Sequence, residues 1–319
     1  MTQADGDPAA EYGVPMTRPC QIGVQLPEVE RFVPWPELIG MAQAAEAVGF
    51  DSIWLGDHLL YDLPDGSVRG PWEVFTSMAA MAAVTSRVQI GSLVASLGFH
   101  EPAMLAKMAA TVDAISDGRL VLGVGAGWNQ REYNAYGIAY DHRVDRFEEA
   151  FGLIRRLLAG ETVTHTGTYY TLDRCVVDPP PARPGGPLLM LGSNSPRMLS
   201  IGLPHVDQWN VWWSLYGNSA AGLAAVIADV RERTVTAGRD PGAVEATACV
   251  YVAVPGGKGR TVGDPTMAEI PPLTGSPEQL ASQLAAFAAV GAAHLQLVVD
   301  PITQESIEWL GQVLAVLDA

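Results

Sequence analysis

The chain repeats one pattern eight times: a short apolar run, then a stretch in which apolar residues recur at helical spacing. The apolar runs are almost continuous, as in parallel strands that are buried on both faces. Eight such units in 319 residues predict an α/β fold, the (β/α)8 TIM barrel, with a doubly wound open sheet as the alternative. The predicted strands span 22–26, 52–56, 87–95, 119–125, 187–192, 207–213, 246–254 and 293–300.

Several segments fall outside this repeat. Residues 1–19 are acidic and contain Pro and Gly, so we expect a mobile N-terminal tail before a single barrel domain over 20–319. Residues 58–71, 173–187 and 255–275 predict long insertions in the βα loops. Loops of this length in a compact domain are usually lids or other functional segments.

Charge and cysteine content exclude several kinds of partner and site. The formal net charge is -16, which repels nucleic acid and anionic membranes. The three cysteines are far apart without a CxxC pair, and no HxH or clustered His/Asp set is present, so we expect no metal site. The chain start lacks the features of a signal peptide, and no run of about 18 apolar residues occurs. We therefore expect a cytoplasmic protein that binds neither nucleic acid nor membrane.

The second predicted strand ends in an acid and an imidazole, Asp57 and His58. In a parallel barrel the active site lies at the carboxyl ends of the strands, so both side chains would face a ligand crevice. The alternative is that Asp57 caps the following segment and His58 is an ordinary loop residue. His100, after the third strand, is a second candidate for acid–base chemistry, or a cap for the next helix.

Two further strand ends carry small residues suited to ligand binding. The fourth ends in GVGAGWN, where glycines would let a flat ligand or a phosphate approach the backbone. The fifth ends in GSNSPR, a turn that opens a helix at Pro196. Its backbone amides, at 192–195, would form an anion site at the start of that helix.

Five ordered blocks carry a resemblance to a known family: GFDSIWLGDH, EPAMLAKMAATVDAISDGRLVLGVGAGWNQREYNAYGI, RFEEAFGLIRRLLAGETVTHTGTYY, LGSNSPRML and TGSPEQLASQLAAFAAVGAAHLQL. In these blocks, from about residue 21 to 297, the chain resembles the bacterial luciferase-like flavin and deazaflavin oxidoreductases. The resemblance implies a TIM barrel with a flavin-type ring across the strand ends and its phosphate at the fifth-strand turn. It also implies a non-proline cis peptide near residues 92–94.

The resemblance further implies a cofactor and roles for individual residues. The cofactor would be the deazaflavin coenzyme F420, or FMN as the alternative. Asp57 would hydrogen-bond the ring, and His58 would be the catalytic acid or base near the hydride-transfer carbon. Trp54 and Trp128 are possible walls of the ring, although a Trp is more often core. The full set expected to bind the cofactor is Asp57, Ser92, Leu93, Val94, Gly125, Ala126, Gly127, Trp128, Asn129, Gly192, Ser193, Asn194 and Ser195.

Three hypotheses for the function follow. The first is an F420-dependent oxidoreductase that transfers a hydride to or from a small organic substrate. The second is an FMN-dependent luciferase-like monooxygenase that uses a separate reductase. The third is a non-catalytic flavin-binding barrel. Family members are commonly homodimers, so we expect a homodimer, whereas the substrate and the direction of hydride transfer stay open.

Overall fold

The computed structural model describes residues 18–259 and 269–319. The strands are β1 (Gln21–Gln25), β2 (Ser52–Leu55), β3 (Tyr61–Asp62), β4 (Val68–Arg69), β5 (Gln89–Ser92), β6 (Ala95–Ser96), β7 (Leu120–Gly125), β8 (Val163–Thr166), β9 (Thr171–Cys175), β10 (Leu188–Gly192), β11 (Gln208–Val211), β12 (Glu245–Ala253) and β13 (His294–Asp300). The helices are α1 (Trp35–Val48), α2 (Val74–Val84), α3 (Pro102–Ile115), α4 (Gln130–Tyr136), α5 (Arg143–Leu158), α6 (Pro196–Gly202), α7 (Ala220–Thr236), α8 (Pro277–Ala289) and α9 (Gln304–Leu317).

Eight parallel strands close into a barrel, as predicted. The order is β10, β11, β12, β13, β1, β2, β5 and β7, and β7 pairs back to β10, which closes the ring. The closure excludes the open sheet. None of the described helices is both long enough and apolar enough to span a membrane.

Helices begin and end at the Pro, Gly and Ser residues that favour helix termini. Helix α1 has Pro36 in its first turn and ends at Gly49, whose φ of 100° lies in the left-handed region. Proline suits the first turn because its missing N–H has no partner there, and glycine accepts that φ without a Cβ clash. Helix α8 begins with a complete capping box between Ser276 and Gln279.

The barrel interior is filled by Trp54 and a buried histidine. Trp54 is fully buried, and its Nε1 donates to Ser52 Oγ at 2.6 Å. A Cβ at Gly91 would lie 2.2 Å from the indole ring, so glycine makes room for the tryptophan. Ser52 Oγ lies 2.7 Å from Nε2 of His294, which opens β13 at the amino end of the barrel. Trp54 is therefore core and does not wall a ligand.

Three expectations need correction. The predicted third strand, 87–95, is interrupted, since β5 stops at Ser92 and β6 begins at Ala95. The predicted insertion at 173–187 begins inside β9, which forms an antiparallel hairpin with β8 that the sequence interpretation missed. The predicted mobile tail lies outside the described residues up to residue 17, but Arg18 is anchored to Asp318 by two hydrogen bonds of 2.8 Å. Part of the predicted insertion at 255–275 also lies outside the described residues.

We expect His294 to make the fold sensitive to acid. Burial lowers the pKa of His294 to about 3, against about 6.5 in an unfolded chain. Between these values the unfolded state binds the extra proton, so stability falls as pH falls, by about 1.4 kcal/mol per pH unit. His294→Gln should reduce the slope of unfolding free energy against pH, measured by denaturant unfolding between pH 4.5 and 7. His142→Gln, at an exposed histidine, is the control, and equal slopes in the two variants would contradict the prediction.

Candidate active site

The carboxylate of Asp57 ties the end of β2 to the end of the interrupted third strand. Asp57 is buried, and its Oδ2 accepts a hydrogen bond of 2.9 Å from the backbone N–H of Ser96. The same oxygen lies 2.7 Å from Nε2 of His100. Asp57 and His100 therefore form one acid–imidazole pair, which joins two strand ends on the face where the sequence analysis expected the site.

His58 has a different carboxylate partner, Glu132 on α4. The Nδ1 of His58 lies 3.2 and 3.1 Å from the two carboxylate oxygens of Glu132. Glu132 is 1% exposed, whereas the His58 side chain keeps 17% of its surface accessible. His58 Nε2 has no hydrogen-bond partner among the described residues, so its hydrogen-bonding capacity is unused by the described part of the chain.

The surroundings of His58 favour its charged form. Burial disfavours the imidazolium, but the hydrogen bond to Glu132 and the nearby carboxylates of Glu28, Glu132 and Asp57 outweigh burial. The pKa of His58 is therefore raised above its ordinary value. A raised pKa lets His58 keep its proton to higher pH, which suits the donation of a proton to a substrate.

The sequence analysis missed Glu132, although a signal was present. Asn129 caps α4 through a hydrogen bond from Arg131 N, and Glu132 stands three residues after this cap. That spacing is typical of a capping box, in which the acid would reach back to its own helix. The Glu132 carboxylate instead accepts the backbone N–H of Leu59 at 2.6 Å, across the crevice at the end of β2.

A bulge separates β5 from β6. The peptide bond between Leu93 and Val94 is cis, at the position that the family resemblance implied. Val94 is half-buried, and its methyl groups lie above two glycines from neighbouring strands. A Cβ at Gly125 would lie 2.8 Å from one of these methyl carbons, and a Cβ at Gly192 would lie 2.8 and 2.9 Å from both. Because Gly125 and Gly192 have no Cβ, they leave the space that the methyl groups of Val94 occupy.

In the turn after β10, the serine side chains accept hydrogen bonds from backbone N–H groups of the turn and of α6. Ser195 Oγ accepts the N–H of Met198 at 3.3 Å and so caps α6, and Ser193 Oγ accepts the N–H of Ser195 at 3.2 Å. Trp209 fixes the turn from below through a 2.8 Å hydrogen bond to Ser193 O. Asn194 differs, because its Oδ1 is buried and has no partner among the residues that the structure describes.

Sequence comparison relates this geometry to a family. A family model described as luciferase-like monooxygenase matches residues 16–256. The chain belongs to the luciferase-like monooxygenase family. The match contains β1 to β12 and every candidate residue discussed above, so the predicted family is confirmed.

Relatives of this luciferase-like chain include enzymes that use F420. It is 31% identical over 217 residues to a phthiodiolone/phenolphthiodiolone dimycocerosates ketoreductase from Mycobacterium bovis, which covers 62% of the chain and 56% of that protein. It is 36% identical over 171 residues to an F420-dependent glucose-6-phosphate dehydrogenase from Amycolatopsis mediterranei, which covers 50% of each chain. The chain thus matches about half the length of these relatives.

A solved structure supports the same architecture. An F420-dependent secondary alcohol dehydrogenase in complex with an F420–acetone adduct superposes with a TM-score of 0.78. The overlap covers 93% of this chain and 99% of that one, at 22% sequence identity. At this identity the likeness establishes the fold alone.

In this luciferase-like barrel, Trp128 lies at the surface beside His58. Trp128 is 55% exposed, and its ring centroid lies 5.8 Å from that of His58. Tyr61, which the sequence analysis did not select, packs against His58 at a tilt of 51°, with ring centroids 4.7 Å apart. Asn129, next to Trp128 in the chain, donates from Nδ2 to Leu60 O at 3.3 Å. Tyr61 and Trp128 form an aromatic rim beside His58.

The structure changes the interpretation of the fourth-strand glycines. A Cβ at Gly123 would lie 2.1 Å from Ser92 O, and a Cβ at Gly127 would lie 2.2 Å from Tyr133 Oη. These glycines, like Gly125, leave room for the protein's own groups, and this steric need accounts for glycine at these positions without a ligand. Ser92 is also fully buried and donates to Gly123 O at 2.8 Å. We therefore assign Ser92 to the barrel wall and not to the ligand surface.

The remaining predicted residues follow the carboxyl ends of β5, β7 and β10. Val94, Ala126 and Asn194 are half-buried, whereas Leu93 is 8% exposed. Tyr133 on α4 connects the ends of β6 and β7. Its hydroxyl lies 2.9 Å from Ser96 Oγ and donates to Ala126 O at 3.0 Å. Within residues 18–259 and 269–319, no group of His, Cys, Asp and Glu side chains is arranged to hold a metal ion.

Proposed function

We propose that the chain is a coenzyme F420-dependent oxidoreductase that transfers a hydride between the deazaflavin and a small organic substrate. One observation carries the proposal: His58 stands at the carboxyl end of β2 with Nδ1 held by a buried carboxylate, while the side chain stays 17% accessible and Nε2 has no hydrogen-bond partner among the described residues. Hydride transfer to or from a carbonyl carbon needs one group to move the balancing proton. The F420-dependent relative supports the choice of cofactor.

The residues at the strand ends fit a flat cofactor with a polar tail. Val94, raised on Gly125 and Gly192, offers an apolar surface against which a ring would pack. The unpartnered Oδ1 of Asn194 offers an acceptor to a ligand hydroxyl or N–H. Ala126 and Trp128 would line the same surface, and the turn over 192–195 would hold the phosphate. When bound, a deazaflavin supplies or accepts a hydride.

The chain's own groups would perform the proton chemistry. In oxidation of an alcohol, Nε2 of His58 takes the hydroxyl proton as the carbinol carbon gives up its hydride. In reduction of a ketone, the protonated Nε2 returns this proton to the carbonyl oxygen. The aromatic rim of Tyr61 and Trp128 would exclude water from this nitrogen and contact the apolar part of the substrate.

The FMN-dependent monooxygenase remains the second candidate, because the matching family model is described as a monooxygenase family. It would use the same surface for FMN and would depend on a separate reductase. A non-catalytic flavin-binding barrel is the third candidate. It predicts tight cofactor binding without turnover of any alcohol or ketone.

Fluorescence titration of the purified apoprotein with each cofactor shows which of the two it binds more tightly. We expect coenzyme F420 to bind at least about tenfold more tightly than FMN, a difference of about 1.4 kcal/mol. Riboflavin, which has the FMN ring without its phosphate, is the control for the phosphate contribution. Tighter binding of FMN would refute the deazaflavin assignment and would make a partner reductase the next target.

A further inference from the structure

We propose that Glu132 is a positioning residue that holds His58 in one ring orientation and one protonation pattern for proton transfer. The inference rests on the proposed function, since it assigns a second residue to the same reaction. Glu132 itself touches neither substrate nor cofactor, because it is 1% exposed and lies behind the imidazole. Its effect on the reaction passes through His58.

The Glu132 carboxylate makes contacts to both the ring and the backbone. Its Oε1 accepts the N–H groups of Leu59 and Leu60 at 2.6 and 3.2 Å, and both oxygens lie within 3.2 Å of His58 Nδ1. A carboxylate is acceptor-only when ionised, so we assign the proton on Nδ1 to this bond. Nε2 is then the nitrogen that gains and loses the catalytic proton.

Helix α4 is fixed against this segment from a second point. Asn129 Nδ2 donates to Leu60 O at 3.3 Å, while Asn129 Oδ1 caps the helix at Arg131 N. The position of Glu132 relative to His58 is therefore set by both ends of one helical turn. A buried charge held in this way is costly to leave unpaired, so the ion pair and the ring orientation depend on each other.

The other groups that face His58 do not replace Glu132. Glu28 at the end of β1 and Asp57 contribute negative charge, but neither forms a hydrogen bond with the His58 ring. Glu28 accepts from Gln25 Nε2 at 2.7 Å, and Asp57 is occupied by Ser96 and His100. Tyr61 and Trp128 contact the ring only through their faces and edges. Orientation through a hydrogen bond thus comes from Glu132.

Glu132→Gln is the informative variant, because a glutamine oxygen still accepts from the Leu59 backbone but carries no charge. We expect the pKa of His58 to fall, measured by NMR titration of histidine-labelled full-length protein, with the His58 signal identified by its absence in His58→Ala. We also expect kcat to fall roughly 10- to 100-fold, the range over which groups that orient metal-bound histidines act. KM and the cofactor Kd should stay within a few-fold, and in the direction of alcohol oxidation, where neutral His58 is the base, the acid limb of the pH profile should move to lower pH.

Glu149→Gln is the matched control. Glu149 lies on α5 and also accepts from a histidine, His165, and from backbone N–H groups, but at the β8–β9 hairpin. It should leave the His58 signal and kcat unchanged. An unmoved pKa of His58 in Glu132→Gln would overturn the inference, and so would a lowered pKa with unchanged kcat. A lowered pKa in a protein that binds no deazaflavin would refute the proposed function while supporting the coupling of Glu132 to His58.

Discussion

His58→Ala is expected to lower kcat by roughly 10²- to 10⁴-fold, the usual contribution of a positioned general acid or base. Without the imidazole, the proton of the substrate oxygen must go to water, which we propose that the rim of Tyr61 and Trp128 keeps away from the reacting atoms. The cofactor Kd should change little, because the bulge at Val94 and the turn over 192–195 lie on other strands. Steady-state kinetics and a fluorescence titration on the same preparation measure the two effects separately.

His205→Ala provides the control for this variant. His205 is an exposed histidine between α6 and β11, at the amino end of the barrel and therefore on the face opposite to His58. Its removal should leave kcat and Kd unchanged. Turnover by His58→Ala at the wild-type rate would remove His58 from the mechanism and would make the Asp57–His100 pair the next candidate.

The barrel was predictable because its signal is local and repeated. Each parallel strand is buried on both faces, so each appears as a continuous apolar run with turn residues at its ends. The β8–β9 hairpin was missed for a related reason. Its strands, VTHT and TLDRC, are mostly polar and lack the continuous apolar run of a buried parallel strand, so they stand outside the repeat that the interpretation followed.

The site was predictable only as far as strand ends determine it. The rule that parallel barrels bind ligands at their carboxyl ends placed Asp57 and His58 correctly on that face. It did not give their partners, since Glu132 is 74 positions beyond His58 in the chain and His100 is 43 beyond Asp57. Such pairs depend on how helices and bulges aim side chains across the crevice, which spacing in one sequence does not encode.

Glycine was the residue most easily misinterpreted. In a sequence, GVGAGWN has the same appearance whether its glycines admit a ligand or admit other parts of the protein. The structure decides for the second reading at Gly123 and Gly127, where a Cβ would collide with Ser92 O and Tyr133 Oη. Their effect on a ligand is indirect, because they allow the bulge and the rim to take their positions.

Gly192→Val is expected to weaken cofactor binding through this indirect route. The new side chain would start 2.8 Å from a methyl carbon of Val94, closer than packed carbons approach, and so would displace the bulge on which we propose the ring rests. Overpacking of this kind costs roughly 1–3 kcal/mol. If this cost is subtracted from the free energy of cofactor binding, Kd rises about 5- to 150-fold, since about 1.4 kcal/mol corresponds to a tenfold change.

A double variant distinguishes the proposed clash from a general loss of structure. Val94→Ala removes the two methyl groups that a valine at 192 would meet, so Kd in the Val94→Ala, Gly192→Val protein should recover towards that of Val94→Ala alone. Gly152→Val is the control, because a Cβ at this position of α5 meets no atom within 4 Å. If Gly192→Val binds the deazaflavin as tightly as wild type, the ring does not rest on the bulge. If the double variant shows no recovery, the steric explanation is wrong, and the turn after β10 must act on the cofactor directly.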